Sequence, residues 1–153
     1  MTTAGIDTAL IRCQSCRAIN RVPVKRLREN PLCGKCKNLL DYPMKAVQAT
    51  AATFEQEVSS WPESVLVLYR SQDCPDCKLA EAVMDDVAFL RAGRLKVLKV
   101  DTGNEPALAR SHAIVFTPTF LMLRNGLQIA RLDGIPREKS ELHQWIEVQL
   151  NKE

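Results

Sequence analysis

The sequence predicts an α/β protein, a mixed β-sheet covered by helices on both faces, preceded by a small cysteine-rich module. Three observations lead there. Strand-like and helix-like segments alternate through the last hundred or so residues and end in a hairpin and a helix. The six cysteines form three pairs of identical spacing, Cys13 and Cys16, Cys33 and Cys36, Cys74 and Cys77. The charge balance changes sign along the chain: residues 1–50 hold nine Lys or Arg against three Asp or Glu, and residues 51–153 hold twelve against fifteen. Cysteine usage and charge together divide the chain into a basic module over 1–45, with 41–45 as the connection, and an acidic domain over 46–153.

At 153 residues, 46% hydrophobic and 25% charged, the chain has a globular composition. Its longest apolar stretches, 65–69 and 120–123, fall far short of the roughly 18 residues of a membrane span, and its start shows no basic region followed by an apolar one. The expectation is a cytoplasmic protein with no membrane anchor. With two histidines, no Gly-rich phosphate loop and no paired Ser and His motif, hydrolase, kinase and dinucleotide-binding readings lack their residues.

In a cytoplasmic chain, stable structural disulfides are disfavoured, so the cysteine pairs read as metal ligands or as a working redox couple. Cys13, Cys16, Cys33 and Cys36 bracket sixteen residues, 17–32, within the spacing of zinc ribbons whose two knuckles each give two thiolates. Four thiolates on one zinc leave a net negative charge, which Arg12, Arg17, Lys35 and Lys37 are placed to offset. Gly34 is expected to supply the dihedral freedom of the second knuckle.

In the larger domain, Thr53 and Gln56 have capping-box spacing and start a short helix ending near Trp61 and Pro62. A buried strand over 65–69 follows. A helix then begins near Pro75, with Leu79, Val83, Val87 and Leu90 as its apolar stripe. Cys74 sits at that helix N-terminus, where unpaired N–H groups favour a thiolate and Pro75 needs no partner. Cys77, three residues on, faces the same side, so Cys74 can attack a substrate disulfide and Cys77 resolve the mixed disulfide. Next come a strand over 95–100, a helical piece over 106–112, a hairpin turning at Asn125 and Gly126, and a helix over 136–150 whose inner stripe is Leu142, Trp145, Ile146 and Leu150. Trp61 is expected to pack the short helix on the sheet, Met84 and Met122 to fill core, His112 to be a surface or C-terminal helix residue, and His143 to lie off the apolar stripe of the last helix, neither histidine being a metal ligand.

The stretches CQSCRAINRVP from Cys13, CGKC from Cys33, VLVLYRSQDCPDC, KVLKVD, Thr117-Pro118-Thr119, the Asn125-Gly126 turn and Gly134 resemble the thioredoxin family, in particular the long bacterial form with an N-terminal zinc ribbon. The resemblance covers almost the whole chain. It implies a thioredoxin fold, a protein disulfide oxidoreductase that uses a Cys74–Cys77 disulfide and no organic cofactor, and a cis peptide at Thr117-Pro118 beside the redox pair. With Pro118 cis, the backbone of Thr117 would be free to pair with an extended substrate strand. Implied partners are disulfide-bearing proteins and, as electron donor, a thioredoxin-reductase-like protein or glutathione.

Departures from the family pattern surround the chemistry. The residues between and before the redox cysteines are Pro75, Asp76 and Asp73, Arg70 stands where the family has Trp, and Thr117 replaces Ile. Leu68 replaces the buried Asp that assists the resolving cysteine, so Asp76 or water is expected to take the Cys77 proton, and Lys99, whose partner that Asp is, becomes an ordinary solvated charge. At roughly 7 Å and an effective dielectric of about 40, Asp73 and Asp76 each disfavour a Cys74 thiolate by about 1 kcal/mol. The helix dipole, Arg70 and Lys78 oppose them. The balance leans to a more reducing couple, hence a reductase. The alternative is a redox-switched binding module whose basic ribbon docks a protein or nucleic acid; the ribbon's lack of aromatic residues before Tyr42 disfavours nucleic acid.

Overall fold

The computed structural model describes residues 8–152, so the N-terminal stretch inspected for a targeting signal, 1–7, lies outside the described residues. A two-stranded antiparallel ribbon comes first, β1 (Thr8–Arg12) against β2 (Ile19–Pro23), followed by a 3-10 turn over Val24–Glu29. The remaining elements are β3 (Val47–Gln48), α1 (Phe54–Ser59), β4 (Ser64–Arg70), α2 (Pro75–Leu90), β5 (Leu95–Asp101), α3 (Pro106–Ser111), β6 (Thr119–Arg124), β7 (Leu127–Asp133) and α4 (Lys139–Leu150).

Five strands form one sheet in the order β3-β5-β4-β6-β7, parallel between β3, β5 and β4 and antiparallel from β4 through β6 to β7. The central strand β4 is buried on both faces. Leu66 and Leu68 join Ala80, Val83 and Met84 of α2 and Leu142 and Ile146 of α4 in one core layer, while Val65, Val67 and Tyr69 join Val58, Trp61 and Ala109 in the other. Strand alternation therefore places α2 and α4 on one face and α1 and α3 on the opposite face. Asn125 and Gly126 both adopt positive φ, 54° and 77°, as a two-residue hairpin turn between β6 and β7 requires. No helix among the described residues is long and apolar enough to cross a membrane.

Three local expectations change. The inner stripe of α2 is Cys77, Ala80, Val83, Met84, Val87 and Ala88, whereas Leu79 and Leu90 are exposed. The two candidate stripes share Val83 and Val87, and small Ala and flexible Met at the other positions hide the true one. Thr53 caps no helix N–H; its Oγ1 accepts from Thr50 N at 2.9 Å, so a local turn takes the place of the capping box. Helix α4 starts at Lys139 rather than near Pro136, where Glu138 and Glu141 form a reciprocal capping box.

The ribbon packs on the larger domain through specific contacts. Leu10 N donates to Glu63 Oε2 at 2.8 Å, and the Arg28 guanidinium lies 4.3 Å over the Phe89 ring while donating to the Phe89 carbonyl. Gly93, at φ 88°, is pressed against Leu27 so closely that a Cβ would stand 2.7 Å from Leu27 Cδ1. Tyr42, in the connection, donates its hydroxyl to the Leu27 carbonyl at 2.6 Å.

Candidate functional site

Strand β4 ends at Arg70, and the chain turns over residues 71–74 into α2. Asp73 takes a positive φ of 55°, a conformation that Asp tolerates better than most residues. Cys74 is the N-cap of α2, in extended conformation with Pro75 just inside, and its Sγ accepts the Cys77 N–H at 3.1 Å. Cys74 and Cys77 form a disulfide with a Cα–Cα distance of 5.2 Å. Their environments differ: Cys74 is half-buried, whereas Cys77 is 1% exposed. A thiol at Cys74 thus meets solvent, helix dipole and a donated N–H together.

Thr117 and Pro118 close the other side of Cys74, joined by a cis peptide bond. Cys74 Sγ lies 3.8 Å from both the carbonyl oxygen and Oγ1 of Thr117. Thr117 Oγ1 in turn is 2.6 Å from Ser71 Oγ. Ser71 carried no signal in the sequence, because a lone Ser in a loop has no pattern.

Asp73 and Asp76 are both exposed beside Cys74. Arg70 does not offset them freely. Its Nε donates to Glu81 Oε2 at 2.9 Å and its guanidinium to Asp101 Oδ2 at 2.5 Å. Lys99 is likewise no ordinary solvated charge, being 22% exposed in its side chain with Nζ 3.6 Å from Glu81 Oε1. Neither partner was visible beforehand, since Glu81 and Asp101 come from α2 and β5 and meet only through the fold. His112 is the C-cap of α3, where it is half-buried, pairs through Nδ1 with the Tyr69 hydroxyl and packs 5.4 Å from the Phe54 ring. Burial, ahead of the Arg131 charge, lowers its pKa.

In the ribbon, Cys13, Cys16, Cys33 and Cys36 place their sulfurs within 4.8 Å of one another. Cys13 and Cys36 are 3.6 Å apart, and Cys16 and Cys33 3.5 Å. A tetrahedral zinc with bonds of about 2.3 Å sets its sulfurs about 3.8 Å apart, so the donor set fits that ion. The two knuckles repeat one geometry. Arg17 N and Lys37 N donate to the carbonyls of Cys13 and Cys33, each at 2.9 Å, and Arg17 and Lys37 hold φ of 70° and 68°. The left-handed turn therefore falls after the second cysteine of each pair rather than at Gly34, where a Cβ would find only Asn20 Oδ1 at 3.6 Å.

Asn20 links the knuckles: its Oδ1 accepts from Gly34 N at 2.8 Å and its Nδ2 lies 3.5 Å from Cys33 Sγ. The Cys36 N–H, helped by Asn20 and the Lys35 N–H and opposed by burial, brings the Cys33 thiol down to about 5. The Asn38 N–H pulls Cys36 down, but burial and the three neighbouring sulfurs outweigh it and push that thiol up to about 11. Crowded sulfurs of this kind call for a cation if all four are to ionise. Of the four basic residues expected to offset the charge, Arg12 and Lys37 bond to backbone carbonyls of the knuckles, those of Arg17 and Gly34, and so brace the loops.

Comparison with known proteins agrees with this geometry. The thioredoxin family model matches residues 45–148, and the model described as thioredoxin 2, N-terminal, a zinc ribbon, matches residues 12–38. Thioredoxin C-3 of Corynebacterium nephridii is 29% identical over 94% of this chain and 97% of its own, and thioredoxin 1 of Nostoc sp. is 33% identical over 69% of this chain and 97% of its own. A solved structure of a mutant thioredoxin from Halobacterium salinarum shares the fold at a TM-score of 0.66 and 20% identity, covering 74% of this chain and 97% of that one. The match over residues 45–148 takes in the whole five-stranded sheet along with Cys74, Cys77 and Pro118, and on that ground the chain belongs to the thioredoxin family of thiol–disulfide oxidoreductases.

Proposed function

We propose that the protein reduces disulfides in protein substrates, with Cys74 as the attacking thiol and Cys77 as the resolving one. The observation that carries this order is the asymmetry of the pair: Cys74, at the helix N-cap, is accessible and accepts the Cys77 N–H, while Cys77 is sealed in the core. The Cys74 thiolate attacks one substrate sulfur, and the other leaves as a thiolate that takes a proton from water. Cys77, once deprotonated, attacks Cys74 Sγ, releases the second substrate sulfur and leaves the Cys74–Cys77 disulfide. The substrate gains the two electrons that the dithiol loses.

Thr117 and Pro118 border the attacked sulfur, and the Thr117 carbonyl beside Cys74 supports a role in holding an extended substrate segment. Asp73 and Asp76 tune the pair. With Arg70 committed to Glu81 and Asp101, less positive charge opposes them than sequence alone suggests, which favours the reducing direction. A thioredoxin-reductase-like protein or glutathione recharges the disulfide, in the cytoplasm. Cys13, Cys16, Cys33 and Cys36 hold one zinc per chain, which when bound neutralises the thiolates and ties the two knuckles together, a structural role.

Trapping tests the order of attack. A Cys77→Ser variant should accumulate a mixed disulfide through Cys74 with an oxidised protein substrate, and Cys74→Ser should accumulate none. Trapping through Cys77 in the Cys74→Ser variant would reverse the assignment.

A further inference from the structure

The sheet face beneath α2 changes character toward the redox pair. It carries Leu66, Leu68 and then Arg70 on β4, and Leu95, Val97 and then Lys99 and Asp101 on the neighbouring β5. Apolar side chains give way to charge at the end of the sheet where α2 begins. Glu81 of α2 lies in that charged layer, with Oε2 2.9 Å from Arg70 Nε and Oε1 3.6 Å from Lys99 Nζ. Arg70 also holds Asp101, so two cations and two carboxylates balance. Glu81 lies four residues after Cys77 and therefore shares its helix face one turn on. Both point toward the sheet, Cys77 being buried and Glu81 24% exposed in its side chain. Asp76 is exposed at the helix start. Leu68, fully buried beneath them, offers no proton acceptor.

We propose that Glu81 accepts the Cys77 proton during resolution, directly or through one water. This rests on Cys77 being the resolving thiol. The Cys77 S–H proton passes to the Glu81 carboxylate, and the resulting thiolate forms the bond to Cys74 Sγ as the Cys74–substrate bond breaks. The electron pair leaves on the substrate sulfur, and Glu81 returns its proton to solvent. The charges facing the carboxylate are Arg70 from β4 and Lys99 and Asp101 from β5, with Lys78 and Asp85 of α2 exposed nearby. Arg70 and Lys99 fix the Glu81 carboxylate in place on the helix face that it shares with Cys77, which is the positioning a proton acceptor needs.

Stopped-flow reaction of the zinc-loaded, reduced full chain with the aromatic disulfide dithiobis(nitrobenzoate) separates the two steps. Attack by Cys74 releases a first thionitrobenzoate and resolution by Cys77 a second, and a Cys77→Ser variant identifies the first phase alone. With Glu81 as acceptor, the second rate is nearly flat between about pH 5.5 and 7.5, before thiolate from solvent takes over. Glu81→Gln should instead rise about tenfold per pH unit across that range and be at least about tenfold slower at pH 6, with the first phase not slowed, since the positive charge left on the cluster favours the Cys74 thiolate. Glu81→Asp should retain the flat region. A wild-type second phase that itself rises tenfold per unit overturns the proposal, whether or not Glu81→Gln folds. So does a Glu81→Gln profile equal to wild type, or an equal slowing of both phases, which marks a structural role only. A second release that persists in Cys77→Ser overturns the resolving assignment itself, an outcome distinct from the failure of Glu81.

Discussion

Replacing Arg70 by leucine removes the guanidinium that joins β4 to both α2 and β5. Two charge-assisted bonds are lost, to Glu81 at 2.9 Å and to Asp101 at 2.5 Å. Each such bond contributes about 1.5 to 3 kcal/mol when well shielded. The shielding is partial, with side chains 21% exposed for Arg70, 24% for Glu81 and 7% for Asp101. Asp101 keeps its bonds from Gly103 N and Asn104 N, and Glu81 keeps Lys99, so neither carboxylate is left bare. Leucine recovers part of the loss by covering the neighbouring Leu68. Halving the gross figure for these reasons gives a net destabilisation of about 1.5 to 3 kcal/mol, which lowers Tm by about 3 to 12 °C in a chain of this size. Urea unfolding of the oxidised protein at pH 7 measures it, followed by the fluorescence of Trp61 and Trp145, both in the larger domain. A loss below about 0.5 kcal/mol would refute the reasoning, because the cluster would then behave as solvated surface charge.

Metal analysis of the purified reduced chain should return close to one zinc per chain, falling to near zero in a Cys33→Ser and Cys36→Ser double variant whose larger domain keeps its unfolding transition. Asp76→Asn should lower the Cys74 thiol pKa and make the couple less reducing by roughly 20 to 30 mV at low salt, about 1 to 1.4 kcal/mol for two electrons; equilibration against glutathione measures it, and an unchanged potential removes Asp76 from the tuning. His112 has a lowered pKa, from burial first and the Arg131 charge second, so the folded state binds its proton less readily than the unfolded chain. Its contribution is intact above the unfolded value near 6.5 and is lost as pH falls through the folded one. The urea midpoint should therefore fall more steeply between pH 7 and pH 5 in wild type than in His112→Gln, and parallel curves would acquit the Tyr69–His112 pair.

What the sequence made legible is what periodicity and spacing encode. The run 65–69 is the central strand because Val, Leu and Tyr follow one another there without a polar break, the run 95–100 beside it keeps Leu and Val around Lys96 and Lys99, and Asn125-Gly126 marks the hairpin unaided. The cysteine spacing identified the sulfur cluster and the redox disulfide. The short strand β3 escaped because two residues hold no period, and its pairing is visible only against β5. Asn20 escaped because one polar residue in a strand says nothing about a knuckle fourteen residues later. Leu79 and Ala80 compete as stripe positions on α2, and the side that packs is decided by the sheet, not by the helix.

The charges around Cys74 show why spacing along the chain misjudges electrostatics. Arg70, four residues before Cys74, reads from sequence as a cation available to stabilise its thiolate. In the fold it is on the sheet face beneath α2 and its charge is matched by two carboxylates, with Lys99 completing a balanced set. A balanced cluster exerts little net field at a distance, so it contributes less to Cys74 than a free cation would. Asp73 and Asp76, exposed and with no ion-pair partner among the described residues, act on the sulfur through water, which weakens their effect. The stabilising side then rests chiefly on the helix N-terminus and the Cys77 N–H at 3.1 Å. Breaking the cluster would change that balance: Arg70→Leu uncovers a net negative charge beneath the redox helix, so the same variant that tests stability should also raise the Cys74 thiol pKa. A pKa that falls or stays fixed in that variant would mean that the field of the cluster does not reach the sulfur.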